Sequence, residues 1–253
     1  YPYDTLLANT LGFVGIDNQG LSGLELIYDE YLTGSYGAIK YYSDAKGNKL
    51  NLSEIYLEST SGMNVYLTID VNIQLSLEQA LTHLMAEQNP ASCTGIVMNA
   101  KNGEIVAMST KPSYDLNNIP RDNVENLLKM SRNVAIVDVY EPGSTFKVLT
   151  MASAIEEGVA HLNDRFYDPG YRIVDGEKIK CWKLTGHGSQ SLSEGLANSC
   201  NSVFIDLALK LGTDKMYERF GVYGLGEPLG IDFSGEGGGI LMDKSSAKTV
   251  DVA

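Results

Sequence analysis

The stretch that decides the fold is "YEPGSTFKVLTMASAIEEGV", residues 140–159. Pro142 and Gly143 form a turn, and the residues after them carry helical periodicity. The helix is expected to bury Phe146, Leu149, Ala152 or Ser153, and Ile155, with Gly158 just past its end. Ser144 and Lys147 stand three apart at its start, and residues three apart on a helix are neighbours. The Lys147 nitrogen can therefore reach the Ser144 hydroxyl. A serine is a weak nucleophile until a base takes its proton. A lysine is that base only where burial or nearby positive charge lowers its pKa. The helix N-terminus adds partial positive charge and free N–H groups, which favour the neutral amine and can stabilise an oxyanion. The plainer reading is a capping serine followed by a solvated lysine.

Context separates the two readings. Three Ser-x-x-Lys patterns occur, at Ser43–Lys46, Ser144–Lys147 and Ser245–Lys248, where roughly one is expected by chance. The first lies in a polar hairpin and the third in a polar tail; only the middle one opens an amphipathic helix. A second element lies further along. Ser191 and Glu194 have capping-box spacing and start a helix. "ANSCN", residues 197–201, interrupts it, and the pattern resumes with Val203, Leu207 and Leu211 before Gly212 ends it. Such a break aims a hydroxyl and an amide into a cleft. Ser199 could relay a proton to a leaving group, and Asn201 could bind a substrate amide and orient Lys147. A further Ser-x-Asn at Ser131–Asn133 shows that this pattern alone is weak.

Bulk properties narrow the field. The 253 residues are 43% hydrophobic with a formal net charge of −13. The length suits one large domain, or one domain and a smaller piece. The charge argues against nucleic acid and anionic lipid as partners. There is no run of 18 apolar residues to span a bilayer, and the first residues lack a signal-peptide pattern. Three cysteines without a C-x-x-C, and three histidines, argue against zinc and against a disulfide framework. No cofactor and no metal are expected.

Residues 1–60 read as a glycine-rich connector of tight turns, closing with a hairpin and polar linker over residues 41–62, and a domain boundary falls near Ser61 or Gly62. "NVYLTID" (64–70) reads as a strand, and Asp70 caps a helix with Ile73, Leu77, Ala80, Leu81 and Leu84 on one face, ended by Asn89 and Pro90. "CTGIVMNAKNGEIVAMST" (93–110) reads strand, turn, strand, with Gly103 in the turn, so the helix packs on an antiparallel pair. A short helix follows the loop that starts at Lys111. Residues 162–188 read as polar turns, and the segment after Gly221 as a glycine-rich loop.

The motif pair, Ser-x-x-Lys followed 55 residues later by Ser-x-Asn, resembles the penicillin-binding proteins and serine β-lactamases. "GFVGIDNQGLSGLE", "VYLTID", "GEIVAMSTKPSYD", "YEPGSTFK" and "EGLANSCNSVF" together resemble class B penicillin-binding proteins over nearly the whole chain. "IKCW" with "NSCN" further resembles the stage V sporulation protein D branch. The resemblance implies an α+β fold of the penicillin-binding protein/serine β-lactamase type, with helices around an antiparallel sheet. Residues 1–60 would end an N-terminal pedestal, and residues 61–253 would be the transpeptidase domain. It implies a peptidoglycan D,D-transpeptidase in which Ser144 attacks a D-alanyl-D-alanine stem peptide, Lys147 is the base, Ser199 relays the proton and Asn201 positions the substrate. Glu141 and Cys200, beside the two motifs, are expected with Asn201 in the substrate site. Penicillin and other β-lactams would acylate Ser144. A glycan-polymerising membrane partner and a place on the outer face of the bacterial membrane, held by an N-terminal helix absent from this chain, are also implied.

The family's third motif, Lys-Thr/Ser-Gly on a strand beside the nucleophile, does not occur; Lys248–Val250 is a near miss. The chain is therefore expected to be an N-terminal fragment, truncated before the last strands of its sheet, possessing little or no activity alone. The strand pair at 95–110 would then expose an edge. Two other functions fit the motifs: a class D-like β-lactamase or β-lactam sensor, and a catalytically silent partner-binding module. Cys181 and Cys200 also have two readings, as free thiols in a small core or as a reversible disulfide beside the site.

Overall fold

The computed structural model describes residues 1–50 and 54–253; residues 51–53, within the expected 41–62 hairpin, lie outside the described residues. Two compact units form, one from residues 1–138 and 230–236, the other from residues 139–229 and 237–253. Helices and antiparallel strand pairs build both, so the class is α+β as expected. Among the described residues the strands form four separate two-stranded pairs.

In the first unit, three short helices punctuate the glycine-rich start: α1 (Ala8–Leu11), α2 (Gly23–Ile27) and α3 (Asp29–Leu32). β1 (Ala38–Lys40) pairs with β2 (Ile55–Leu57). α4 (Val71–Gln88) is capped by the Asp70 carboxylate, which accepts from the Asn72 and Ile73 N–H groups. Asn89, left-handed at φ 46°, closes its other end. β3 (Cys93–Met98) and β4 (Ile105–Lys111) form the expected hairpin, with Gly103 at φ 78° in its turn. α5 (Val124–Ser131) and α6 (Val134–Val137) follow. Ala8, Phe13, Tyr114, Leu116 and Leu127 form a core cluster.

Two expectations change here. Residues 64–70 are not a strand. They reach β4 through the Asp70 N–H to Val106 O (2.9 Å) and Thr68 Oγ1 to Ile105 O (2.6 Å). The buried face of α4 is also only partly the apolar one, Leu81 alone of the five expected residues being buried. Gln74, Glu78 and Leu81 are buried, whereas Ile73 and Leu84 are 39% and 40% exposed and Ala80 is exposed. The reason is hydrogen bonding to β4. The Gln74 side chain donates to Met108 O (2.9 Å) and accepts from Met108 N (2.8 Å), so its amide takes the place of a neighbouring strand. Glu78 accepts from Gln74 Nε2 (2.9 Å), from the Leu7 N–H (2.8 Å) and from Lys111 Nζ (2.8 Å). The strand pair was expected to expose an edge; of its two outer edges, that of β4 is occupied at Val106 and Met108.

In the second unit a 3₁₀ turn over Gly143–Phe146 runs into α7 (Lys147–Glu156). Its buried side chains are Thr150, Met151, Ser153 and Ala154; Ile155, expected inside, is 38% exposed. The helix presents small residues inward because it packs closely on α9. Residues 162–188, read as turns, instead contain β5 (Arg165–Asp168), β6 (Tyr171–Val174) and β7 (Glu177–Lys180), and β8 (Gly188–Ser191) completes the set. β5 pairs with β8, and β6 with β7. Asp175 and Gly176, at φ 50° and 85°, make the tight β6–β7 turn. α8 (Leu192–Ala197) starts at the Ser191/Glu194 capping box. α9 (Asn201–Val222) breaks direction at Gly212 (φ 78°, ψ 160°), the residue expected to end it. The loop after it is irregular until α10 (Thr249–Val252). Met151, Phe166, Leu192, Val203, Phe204 and Leu207 make the core between α7, α9 and the strands. No helix among the described residues is long and apolar enough to cross a membrane.

Replacing Gln74 with leucine keeps the volume but strands the Met108 N–H and carbonyl. At about 1–3 kcal/mol for a buried polar group left unpaired, Gln74→Leu is expected to cost at least about 2 kcal/mol in urea unfolding, more than Ile73→Ala on the exposed side of the same helix.

Candidate active site

The fold gathers three elements around one nitrogen. Ser144 lies exposed in the 3₁₀ turn, and Lys147 begins α7, partly buried. Lys147 Nζ is 3.3 Å from Ser144 Oγ, 3.1 Å from Ser199 Oγ, 2.8 Å from Ser199 O and 2.6 Å from Asn201 Oδ1. The Phe204 ring lies beneath it, 5.5 Å from nitrogen to centroid. Ser144, Lys147, Ser199 and Asn201, separated by up to 57 positions in the sequence, therefore meet.

The break between α8 and α9 is what makes this possible. Ser199 is left-handed, at φ 48°, a conformation costing roughly 1–2 kcal/mol for a residue with a Cβ. That conformation directs both its carbonyl and its hydroxyl at Lys147. The Asn201 amide is fixed from its other end, where Nδ2 donates to Lys180 O at the end of β7 (3.0 Å). Oδ1 is consequently the atom that faces the lysine. Trp182 Nε1 donates to Asn198 O (2.8 Å), bracing the turn one residue earlier.

Burial lowers the Lys147 pKa, opposed by the nearby Cys181 and Cys200 thiols. No carboxylate among the described residues is hydrogen-bonded to it. Its partners divide chemically. Ser199 O and Asn201 Oδ1 can only accept, so they use the two N–H bonds of a neutral amine. The two hydroxyls can donate as well as accept, so the amine lone pair is left for a hydroxyl proton. The same cage serves the ammonium, whose third N–H turns to either Oγ. The arrangement can therefore take a proton from one hydroxyl and return it through the other.

A second polar centre lies under the turn. Asp168, fully buried at the end of β5, accepts from Ser202 Oγ (2.6 Å) and the Gly170 N–H (2.7 Å) at Oδ1. At Oδ2 it accepts from the His187 N–H (3.0 Å) and meets His187 Nδ1 (2.8 Å). Burial alone would raise its pKa, but these four hydrogen bonds outweigh it and hold the carboxyl well below the usual carboxylate range. Ser202 follows Asn201 directly, so Asp168 anchors the first turn of α9. Arg172 on β6 adds a two-pronged bond to Asp206 of α9, at 2.7 Å for each contact.

Two of the expected site residues lie outside this hydrogen-bonded cluster. Glu141 is exposed in the loop before Pro142 and forms no hydrogen bond or ion pair among the described residues. Cys200 is fully buried, its sulfur 3.9 Å from Cys181 Sγ, and burial raises its thiol pKa to about 12. Its side chain belongs to the core, leaving only its backbone for any contact with substrate. Both cysteines are free thiols. Sequence reading missed Asp168, His187, Ser202 and the Lys180 carbonyl. Asp168 shares the inward face of β5 with Phe166, and no apolar alternation in the sequence marks that strand.

A family model described as the penicillin binding protein transpeptidase domain matches residues 93–253, and one described as the penicillin-binding protein dimerisation domain matches residues 1–67. The chain is 41% identical over 257 residues to stage V sporulation protein D of Bacillus subtilis (strain 168), covering all of this chain and 39% of that protein. It is 29% identical over 254 residues to peptidoglycan D,D-transpeptidase FtsI of Escherichia coli (strain K12), covering all of this chain and 42% of that protein. The fold matches a peptidoglycan synthetase from Bifidobacterium adolescentis with a TM-score of 0.84 at 25% identity, over 98% of this chain and 44% of that one. The chain thus spans about two fifths of the length of these curated relatives.

The left-handed turn can be tested separately from its hydroxyl. Ser199→Gly and Ser199→Ala both remove Oγ, but only glycine accepts φ 48° without strain. The glycine variant is expected to be the more stable of the two by about 1 kcal/mol in urea unfolding.

Proposed function

The chain belongs to the penicillin-binding protein transpeptidase family, and we propose that the whole protein is a peptidoglycan D,D-transpeptidase acting through a serine acyl-enzyme. The observation that carries this reading is the Lys147 nitrogen within hydrogen-bond reach of both Ser144 Oγ and Ser199 Oγ. Ser144 Oγ attacks the penultimate carbonyl of a D-alanyl-D-alanine stem peptide as the neutral Lys147 amine takes its proton. The resulting ammonium lies 3.1 Å from Ser199 Oγ, which hands a proton to the departing D-alanine amine. An amine from a neighbouring stem peptide then attacks the acyl group, losing its proton by the reverse route, and Ser144 is regenerated with the crosslink made. Asn201 orients Lys147 and leaves its substrate-facing side for a peptide amide.

Burial supports the base role, because a half-buried amine among neutral acceptors loses its proton more readily than an exposed lysine. In this reading residues 1–60 end a pedestal and residues 61–253 belong to the transpeptidase domain. The reaction takes place on the outer face of the bacterial membrane, beside a glycan-polymerising partner. β-Lactams enter as mimics of the D-alanyl-D-alanine end and acylate Ser144.

Intact-mass analysis of the full-length protein after incubation with penicillin tests the reading. A stable adduct of one penicillin on Ser144 is expected, and none in Ser144→Ala. Rapid release of hydrolysed penicillin would instead identify a β-lactamase. Lys147→Ala is expected to slow acylation roughly 10²–10⁴-fold, the usual contribution of a general base. Because burial lowers the Lys147 pKa, acylation should rise with pH and level off below the pH at which an exposed lysine would deprotonate. A pH-independent rate would remove Lys147 as the base.

A further inference from the structure

Beneath the Ser199–Asn201 turn, four side chains with metal-binding atoms converge in the second unit. They are Asp168 at the end of β5, Cys181 after β7, His187 before β8 and Cys200 before α9. One ligand atom from each lies within 4.8 Å of the others. All are buried: the Asp168 and His187 side chains are 0% and 5% exposed, and Cys181 and Cys200 are 1% and 0% exposed. None is hydrogen-bonded to Ser144 or Lys147, so the acyl-transfer chemistry leaves them without a task.

Their spacing discriminates between uses. In a tetrahedral zinc centre with Zn–S of about 2.3 Å and Zn–N of about 2.0–2.1 Å, neighbouring ligand atoms lie about 3.3–3.8 Å apart. Here the two sulfurs are 3.9 Å apart, and His187 Nδ1 is 3.6 Å from Cys181 Sγ. A disulfide requires about 2.05 Å. A shorter edge, His187 Nδ1 to Asp168 Oδ2 at 2.8 Å, is a hydrogen bond that a metal would replace. The carboxylate is already oriented, its other oxygen being held by Ser202 Oγ and the Gly170 N–H, as outer partners commonly fix metal ligands.

We propose that Asp168, Cys181, His187 and Cys200 form a closed four-coordinate site for a zinc ion. Two sulfurs, one imidazole nitrogen and one carboxylate oxygen are a donor set that suits zinc and leaves no open position for water, so the ion is structural. Binding releases the two thiol protons to solvent. Asp168 enters already ionised. His187 ligates through Nδ1, the nitrogen that faces Cys181 and Asp168, so its ring N–H stands on Nε2. The latter atom has no hydrogen-bond partner among the described residues, and the Trp182 ring stands against its imidazole at 5.3 Å. The ion would tie β5, the β7–β8 connection and the start of α9 together. Cys200 lies between Ser199 and Asn201, so the ion would hold the turn carrying both. C-x-x-C spacing is absent, which is why the sequence argued against zinc; the donors come instead from four separate element ends.

The test uses the full-length protein, reduced, loaded with zinc and dialysed against zinc-free buffer. About one zinc per chain is expected by mass spectrometry of the metal. Cobalt substituted for it should show a thiolate charge-transfer band and intense tetrahedral d–d bands. Cys181 and Cys200 should resist alkylation until a chelator is added. His187→Ala and Cys181→Ser should each abolish stoichiometric zinc. The proposal fails if the reduced wild-type protein retains no zinc after loading. It also fails if cobalt gives no thiolate band, or if both thiols alkylate equally with and without zinc. A Cys181–Cys200 disulfide forming at the same rate in excess zinc would overturn it too. These wild-type measurements decide the matter even where a variant does not fold.

Discussion

The second unit is organised around keeping one amine dry without giving it a counter-charge. Lys147 is partly removed from water, yet the two hydroxyls, the carbonyl and the amide that share hydrogen bonds with its nitrogen are all neutral. A carboxylate in the same place would lock the ammonium form. Neutral acceptors satisfy the N–H bonds while leaving the proton free to depart. The rest of the arrangement follows from supplying those acceptors. One is a backbone carbonyl that faces the amine only because Ser199 is left-handed, and another is an amide held by the end of β7. The strain at Ser199 is sustained because the residues on both sides are fixed, Asn198 through Trp182 and Ser202 through Asp168.

Both units rest on a buried carboxylate rather than on apolar packing alone. Glu78 gathers the Leu7 N–H, Gln74 and Lys111; Asp168 gathers Ser202, Gly170 and His187. Such centres are costly to bury and costly to interrupt, since losing one partner leaves a charge without compensation. Their benefit is geometric. Each fixes several chain segments at defined distances, which a cluster of leucines does less sharply.

This explains what was legible in the sequence. The Ser144–Lys147 spacing, the helix break at Ser199 and the capping residues Asp70 and Ser191 could be read directly, because each depends on neighbours along the chain. The Gly103 hairpin was legible for the same reason. The inner face of α4 was not, because apolar periodicity pointed to Ile73 and Leu84 while hydrogen bonds to β4 selected Gln74 and Glu78. β5 was hidden because one of its inward residues is an aspartate. The small inward residues of α7 follow from close helix packing, which no local pattern encodes. Glu141, three positions from Ser144, is exposed and takes no part in the hydrogen bonds around Lys147.

The Gln74 amide on Met108 has a consequence for how the β3–β4 pair can grow. A side chain that occupies both the donor and the acceptor of a central residue terminates the ladder there, as a cap terminates a helix. Any third strand recruited to this hairpin, from elsewhere in a longer polypeptide or from another molecule, must therefore align along β3. The pair is polarised, with one finished border and one receptive border, and the direction of assembly is written into a single glutamine.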